Sequence, residues 1–196
     1  MKFYYDGDEP GGQILSWFKL QLKAIGTLWD AGLPEAALNV IYSGIDSFGL
    51  LAAPPDVLDA NRTTYKRWCE KYILPRLRTV EGTAITAVDL YAARCGVLHA
   101  STPLSSLERE GDAHQVFYQF KDKTGVNMLL NAKQAPIRID IGNLGLAFKE
   151  GGIAFLTDLK NDPPSQKLAE DRAQHFLRWV RRVQISARSP QIPVDI

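Results

Sequence analysis

The chain of 196 residues contains only two cysteines, Cys69 and Cys95, and only three histidines. Two cysteines exclude a disulfide framework and leave at most one bridge, so a reducing compartment is the simpler expectation. No stretch approaches the ~18 to 20 apolar residues of a membrane span. The first residues are acidic and glycine-rich where a secretory signal would be basic and then apolar. We therefore expect a cytoplasmic protein that makes no use of a membrane.

An excess of charge is also missing, because 23 Lys and Arg stand against 22 Asp and Glu. A net charge of +1 gives no global attraction to nucleic acid, so a polyanion would have to bind at a local basic patch. The chain lacks a GxxxxGKS/T phosphate loop, a GxSxG elbow, an HExxH pair and paired CxxC motifs. The scattered histidines and cysteines form no metal-ligand pattern. We expect no metal and no cofactor.

Apolar residues make up 45% of the chain, and their spacing predicts a mainly α protein with a single domain over residues 1–196. Spacings of three and four residues predict a helical bundle core over residues 13–100, with short loops and an up-and-down order. Its four helices run over 13–30, from Pro34 to the break at Pro54-Pro55, from a cap at Asp59 to Pro75, and from Gly82 to Pro103.

The middle of the chain changes period and predicts a small antiparallel β insertion over about residues 114–141. Val116–Phe120 alternates like a strand, 126–131 would pair back, and 137–141 fits a third strand. C-terminal helices are expected over about 143–187, the last of them long and capped by Ser165. Residues 143–159 fit a helix or a hairpin, since Gly151-Gly152 costs a helix about 1 kcal/mol per glycine. We favour the helix.

An arginine and a histidine stand five positions apart near a predicted helix end, in the segment Asp89-Leu-Tyr-Ala-Ala-Arg94-Cys-Gly-Val-Leu-His99. A histidine titrates near neutral pH and moves protons, whereas an arginine is a permanent planar cation that binds phosphate oxygens. On an ideal α-helix the two side chains point about 140° apart. Only a change of helix geometry, or pairing across a two-fold axis, would bring Arg94 and His99 together.

The chain resembles the HEPN superfamily over about residues 13–100. The resemblance rests on the pattern Leu-Tyr-x-x-Arg-Cys-Gly-x-Leu-His and on the helical hairpin before it, which contains Gly44-Ile-Asp46-Ser-Phe. That resemblance implies an all-α bundle whose homodimer binds or cleaves RNA or nucleotides without metal. The resemblance also implies a biological role, which would be that of a toxin with a cognate antitoxin, of a phage-defence protein or of a stress-response protein. Arg94 and His99 would be catalytic. The supporting residues would be Asp46, Cys95, Ser101 and Thr102.

Two basic runs are candidate contacts for RNA phosphates. A solvated helix face explains such runs equally well. The candidates are Arg62, Lys66 and Arg67 on the third helix, and Arg178, Arg181 and Arg182 on the last.

The alternative hypothesis is a non-catalytic interaction or scaffold module in which Arg94 is structural. Asp46 lies on an otherwise apolar helix and needs a basic partner, so Asp46 or Asp89 would pair with Arg94. Cys95 follows the arginine where active HEPN proteins usually carry a polar residue. Burial of Arg94 against Asp46 would favour this alternative, whereas a shared open cleft with His99 would favour the enzyme.

Overall fold

The computed structural model describes residues 12–100, 105–120, 123–124 and 136–176. This part of the chain is mainly helical, which confirms the expected fold class, and no helix in it combines the length and hydropathy needed to cross a membrane. The α-helices are α1 Gly12–Asp30, α2 Pro34–Leu51, α3 Arg62–Trp68, α4 Ala87–Cys95, α5 Ser106–Glu110, α6 Ile141–Asn161 and α7 Pro163–Phe176, and π turns over Cys69–Ile73 and Gly96–Ala100 follow α3 and α4. The strands are β1 Val116–Phe120, β2 Lys123–Thr124 and β3 Ile137–Asp140.

Helix α2 lies at the centre of the molecule, and its Phe48 is fully buried. The Phe48 ring stacks on Trp68 with centroids 5.0 Å apart, and it meets Phe18 of α1 and Phe155 of α6 edge-on at 5.1 and 5.3 Å. Such aromatic pairs contribute about 0.5–1.5 kcal/mol each beyond their buried area. One buried hydrophobic cluster contains residues of every helix except α5, and of β1 and β3.

Helix α6 is continuous through Gly151 and Gly152, which confirms the helical interpretation of this segment and excludes the hairpin. A Cβ at Gly151 would lie 2.7 Å from the carbonyl oxygen of Tyr72, and one at Gly152 would overlap the ring of Phe18. The two glycines therefore allow α6 to approach its neighbours closely. The packing gained offsets the low helix propensity of glycine.

Two predicted helix caps are wrong by two or three positions. The third helix is capped by Asn61 instead of Asp59, since Asn61 Oδ1 accepts from the backbone N–H of Thr64 at 3.1 Å. The last helix begins at Pro163, so Ser165 lies inside it and donates its hydroxyl to Asp162 at 2.7 Å. In each case two residues of good capping type stand two or three positions apart, so the sequence offers two possible starts for one helix.

The sheet is small and mixed, with the strand order β2-β1-β3. β1 and β2 are antiparallel over two residue pairs, but β1 and β3 are parallel over four, so the expected antiparallel arrangement is wrong for the third strand. Asp140 ends β3 and caps α6 by accepting from Asn143 N at 2.9 Å. The direction of α6 across the core thus sets the direction of β3. The predicted return strand 126–131 lies outside the described residues, as do residues 177–187 of the predicted C-terminal helices.

Replacing Gly151 by alanine tests the close helix approach. We expect G151A to lower the free energy of unfolding by about 2 kcal/mol, because the new methyl group collides with backbone that cannot rotate away. The matched control is G26A on α1, where nothing lies within 4 Å of the added Cβ. This control should raise stability by up to about 1 kcal/mol through helix propensity. Equal effects of the two variants in urea denaturation would contradict the packing role of Gly151.

Candidate functional site

Arg94, in the last turn of α4, pairs with Asp46 in the middle of α2. Its Nε and Nη2 donate to Oδ2 of Asp46 at 2.8 and 2.5 Å, and the two side chains are 16% and 18% exposed. The predicted pairing of Asp46 with a basic group is confirmed. A carboxylate on a largely apolar helix is thereby compensated by a charge from a neighbouring helix.

Asp89, the other candidate partner of Arg94, has different partners. It belongs to a capping box at the start of α4, where its Oδ2 accepts from the backbone N–H and the hydroxyl of Thr86 at 2.8 and 2.7 Å. Its Oδ1 accepts from His114 N at 2.7 Å and lies 3.1 Å from His114 Nδ1. The pairing of Asp89 with Arg94 is therefore wrong. The Thr-x-x-Asp spacing was the sequence signal for this cap.

The guanidinium of Arg94 belongs to a small cluster of cations around an aromatic ring. Its Cζ lies 5.9 Å from the centroid of Tyr91, and Cζ of Arg62 lies 5.6 Å from the same centroid. Its Nη1 lies 4.0 Å from Sγ of Cys95, which places that predicted supporting residue at the site. Guanidinium groups within about 6 Å of a ring centroid are attracted by its negative face.

Burial and the carboxylate of Asp46 act in opposite directions on Arg94. Burial disfavours the charged form, but the hydrogen bonds and negative charge of Asp46, with Cys95 adding to them, raise the pKa of Arg94 above its ordinary value. Arg94 is therefore cationic throughout the physiological pH range. The same two hydrogen bonds fix the orientation of its guanidinium.

The backbone changes helix type directly after Arg94. Helix α4 ends at Cys95 and continues as a π turn over Gly96–Ala100, which contains position 99. A π turn has i→i+5 hydrogen bonds and so more residues per turn than an α-helix. Positions 94 and 99 are therefore closer to one face than the ~140° of an ideal α-helix. The side chain of His99, and residues Ser101 and Thr102, lie outside the described part of the structure.

The predicted basic residues do not all belong to this cluster. Arg62 is exposed and lies over Tyr91, whereas Arg67 lines a cavity between α2, α3, α6 and α7. Lys66 is half-buried on α3. Arg178, Arg181 and Arg182 fall outside the described residues. The structure thus joins one basic run, through Arg62, to the Arg94 site.

The chain matches no protein-family model, no curated protein and no solved structure. Within the described residues, no three His, Cys, Asp or Glu side chains are close enough to hold a metal ion. The function of the site must therefore be argued from its own geometry, which comprises Asp46, Arg62, Tyr91, Arg94 and the π turn.

A double-mutant cycle on Asp46 and Arg94 tests the central ion pair. We expect R94M to lower the free energy of unfolding by about 3 kcal/mol, because it leaves the Asp46 carboxylate without its cation. The double variant D46N/R94M should be less destabilised than the sum of its single variants, with a coupling of about 1–2 kcal/mol.

The control for this cycle is the pair of Arg138 with Glu81, whose side chains are 40% and 36% exposed. Solvent screening should keep the effect of E81Q within about 0.5 kcal/mol. Additive effects of D46N and R94M in chemical denaturation would show that the two side chains do not stabilise each other.

Proposed function

We propose that the protein is HEPN-like and that it binds or cleaves RNA, without a metal ion, through Arg94 and His99. The observation that carries this proposal is the π turn after Arg94, since it draws the two positions of the R-x4-H motif toward one face. π turns inside helices occur frequently at functional sites. The resemblance over residues 13–100 supplies the reaction class.

In the proposed reaction His99 removes the proton from the 2′-hydroxyl of a ribose, and the 2′-oxygen attacks the adjacent phosphorus. The bond to the 5′-oxygen breaks, that oxygen takes up a proton, and a 2′,3′-cyclic phosphate remains. Arg94 binds the phosphate oxygens on which negative charge develops. Asp46 is a positioning residue, because it holds the guanidinium without touching the RNA.

The ring of Tyr91 and the exposed Arg62 support RNA as the ligand. Arginine contacts phosphates, and a partly exposed aromatic ring beside it offers a surface on which a base stacks. The same pair of residues has little use in a site for a small apolar molecule. We propose single-stranded RNA as the form that binds, because its bases are accessible.

We also propose a homodimer, because a two-fold axis next to α4 would place two R-x4-H motifs around one RNA. A cognate antitoxin and a role in toxin–antitoxin or phage-defence systems belong to the same proposal, and they follow from the resemblance alone.

A second candidate function is a non-catalytic interaction or scaffold module. The observation in its favour is that Arg94 directs two donors at Asp46 and that both side chains are largely shielded from water. Here Arg94 joins α2 to α4, and no RNA is cleaved.

The deciding experiment is cleavage of a mixed RNA substrate in excess EDTA by the wild type and by H99A. We expect metal-independent cleavage with 2′,3′-cyclic phosphate ends, and a loss of about 100-fold or more in H99A, as for removal of a general base. H175A is the matched control, since His175 is exposed on α7 away from the motif, and it should keep full activity.

The variant R94K separates the two candidate functions. R94K keeps the charge but loses the two-donor geometry, so the enzyme hypothesis predicts a lower cleavage rate with the fold retained. If the folded wild type neither cleaves RNA nor binds it more tightly than R94M does, the scaffold module is the correct function.

A further inference from the structure

A groove of about 650 Å³ lies between α1 and α6. Its floor consists of the buried side chains of Ile14, Phe18 and Leu159. Leu15 and Ile153 also line it, and they are 41% and 50% exposed. Apolar side chains of this size gain about 1.5–3 kcal/mol each from full burial. The groove is therefore an apolar surface that no other described part of the chain covers.

The apolar surface extends along both helices. On α1, Leu15, Leu22 and Trp29 follow one another at intervals of seven residues, which places them close to one line along the helix. Leu22 and Trp29 are half-buried. On α6, Leu146 precedes Ile153 by the same interval and is exposed as well. Contiguous exposed apolar surface is typical of an interaction site.

The two helices run antiparallel, so the groove has two distinct ends. Gly152 lies against the ring of Phe18, and Gly142 lies against the ring of Trp29, which reverses the chain order between α1 and α6. Gly12, the first residue of α1, lines the groove at the opposite end from Trp29. The chain therefore enters α1 at one end of the groove.

The charged side chains next to the groove are basic. Lys160 is exposed and is the one charged residue in its lining. Lys19 on α1 and Lys149 on α6 are also exposed, and each is four residues from an exposed apolar residue of the groove. None of the three has an ion pair with a described residue. Glu150 points about 100° away from Lys149 around α6. An occupant with negative charge is thus favoured.

The segment that leads into Gly12 has matching chemistry. It comprises residues 1–11, which lie outside the described residues, and its sequence is Met-Lys-Phe-Tyr-Tyr-Asp-Gly-Asp-Glu-Pro-Gly. Three consecutive aromatic residues precede three acids, against one lysine. The pair Pro10-Gly11 favours a turn, which would direct the preceding residues back over the groove.

Other occupants match the groove less well. Residues 177–196 also lie outside the described residues, but they contain four arginines and one aspartate, so the lysines would repel them. A second copy that presents the same face would bring like charges together. A segment tethered at Gly12 has an effective concentration of about 1 mM or more, which favours it over a separate molecule.

We propose that residues 1–11 bind in the groove between α1 and α6. The acids come first after the turn and pair with Lys160 and Lys19. The aromatic residues bind farther along, where they pack against Leu22 and Leu146. This binding does not depend on the proposed action on RNA.

The segment is long enough to cover the apolar surface. Six residue steps, from position 9 back to position 3, span about 20 Å in an extended chain. The distance from Leu15 to Trp29 along the axis of α1 is about 21 Å. The aromatic residues therefore reach the far half of the groove without strain in the chain.

The test attaches a nitroxide spin label at position 2 of the full-length protein, in the variant K2C/C95S. The remaining cysteine, Cys69, is fully buried and does not react. We expect the label to broaden the backbone amide NMR signals of Leu22 and Leu146, because it lies beside them when the segment is bound. A segment that does not bind would broaden mainly the signals around Gly12.

The variant I153S removes an apolar side chain from the groove at an exposed position, so the fold should be kept. We expect it to lower the bound population of the segment about tenfold. The matched control is L58S, since Leu58 is 83% exposed in the loop after α2, and the broadening should persist there. K160E should also weaken binding, and the charge swap E9K/K160E should restore part of the loss.

The proposal is overturned if the signals of Leu22 and Leu146 are not broadened, or if I153S and L58S have equal effects. A mixture of spin-labelled protein at natural abundance with unlabelled ¹⁵N protein detects contacts between chains. Equal broadening in this mixture would show that the segment of a second copy occupies the groove, and that result overturns the proposal as well.

Discussion

The packing of Phe48 constrains the rest of the structure, because α1, α3 and α6 all place aromatic rings against this one side chain of α2. Aromatic side chains at such a junction leave little freedom for sliding or rotation, since interiors are close-packed. The orientation of α2 is then set on every side. Gly44 on the same helix admits the ring of Phe148, and Gly49 approaches the backbone of Thr64, so that α2 has close neighbours on two further faces.

A consequence of this central position is that the polar groups of α2 must find partners in neighbouring helices. Asp46 does so through Arg94, and carbonyl groups at the end of α2 do so through Arg172. Burial without these partners would be expensive. The same guanidinium that satisfies Asp46 is the one that the RNA hypothesis uses, so stability and function are coupled at Arg94. A positioned, permanently charged arginine suits either role, and the position of His99 on the π turn is what favours the RNA hypothesis.

The helix pattern of the chain was predictable where local signals are strong. α1 and α2 have regular apolar spacing and a Gly-Leu-Pro break between them. α1 begins one residue before the predicted start, and α2 begins at Pro34 as predicted and ends at Leu51, shortly before the predicted break. The pair of Asp46 with a basic residue was also predictable, because an isolated carboxylate among apolar residues needs a cation. Three other features were not predictable from the sequence: the cap at Asn61, the parallel pairing of β3 and the contact of Asp89 with His114. Each depends on residues far apart in the chain, or on a choice between two nearby capping side chains of nearly equal free energy.

The sequence by itself determined a mainly helical protein with an R-x4-H motif at the end of a helix, because apolar period and helix-breaking residues act over a few positions. Only the tertiary structure decided that Gly151 and Gly152 lie inside a helix, since their advantage is the space that they leave for Tyr72 and Phe18. It alone selected Asp46 over Asp89 for Arg94. Contacts of this kind are decided by the packing of whole elements, which no local pattern encodes.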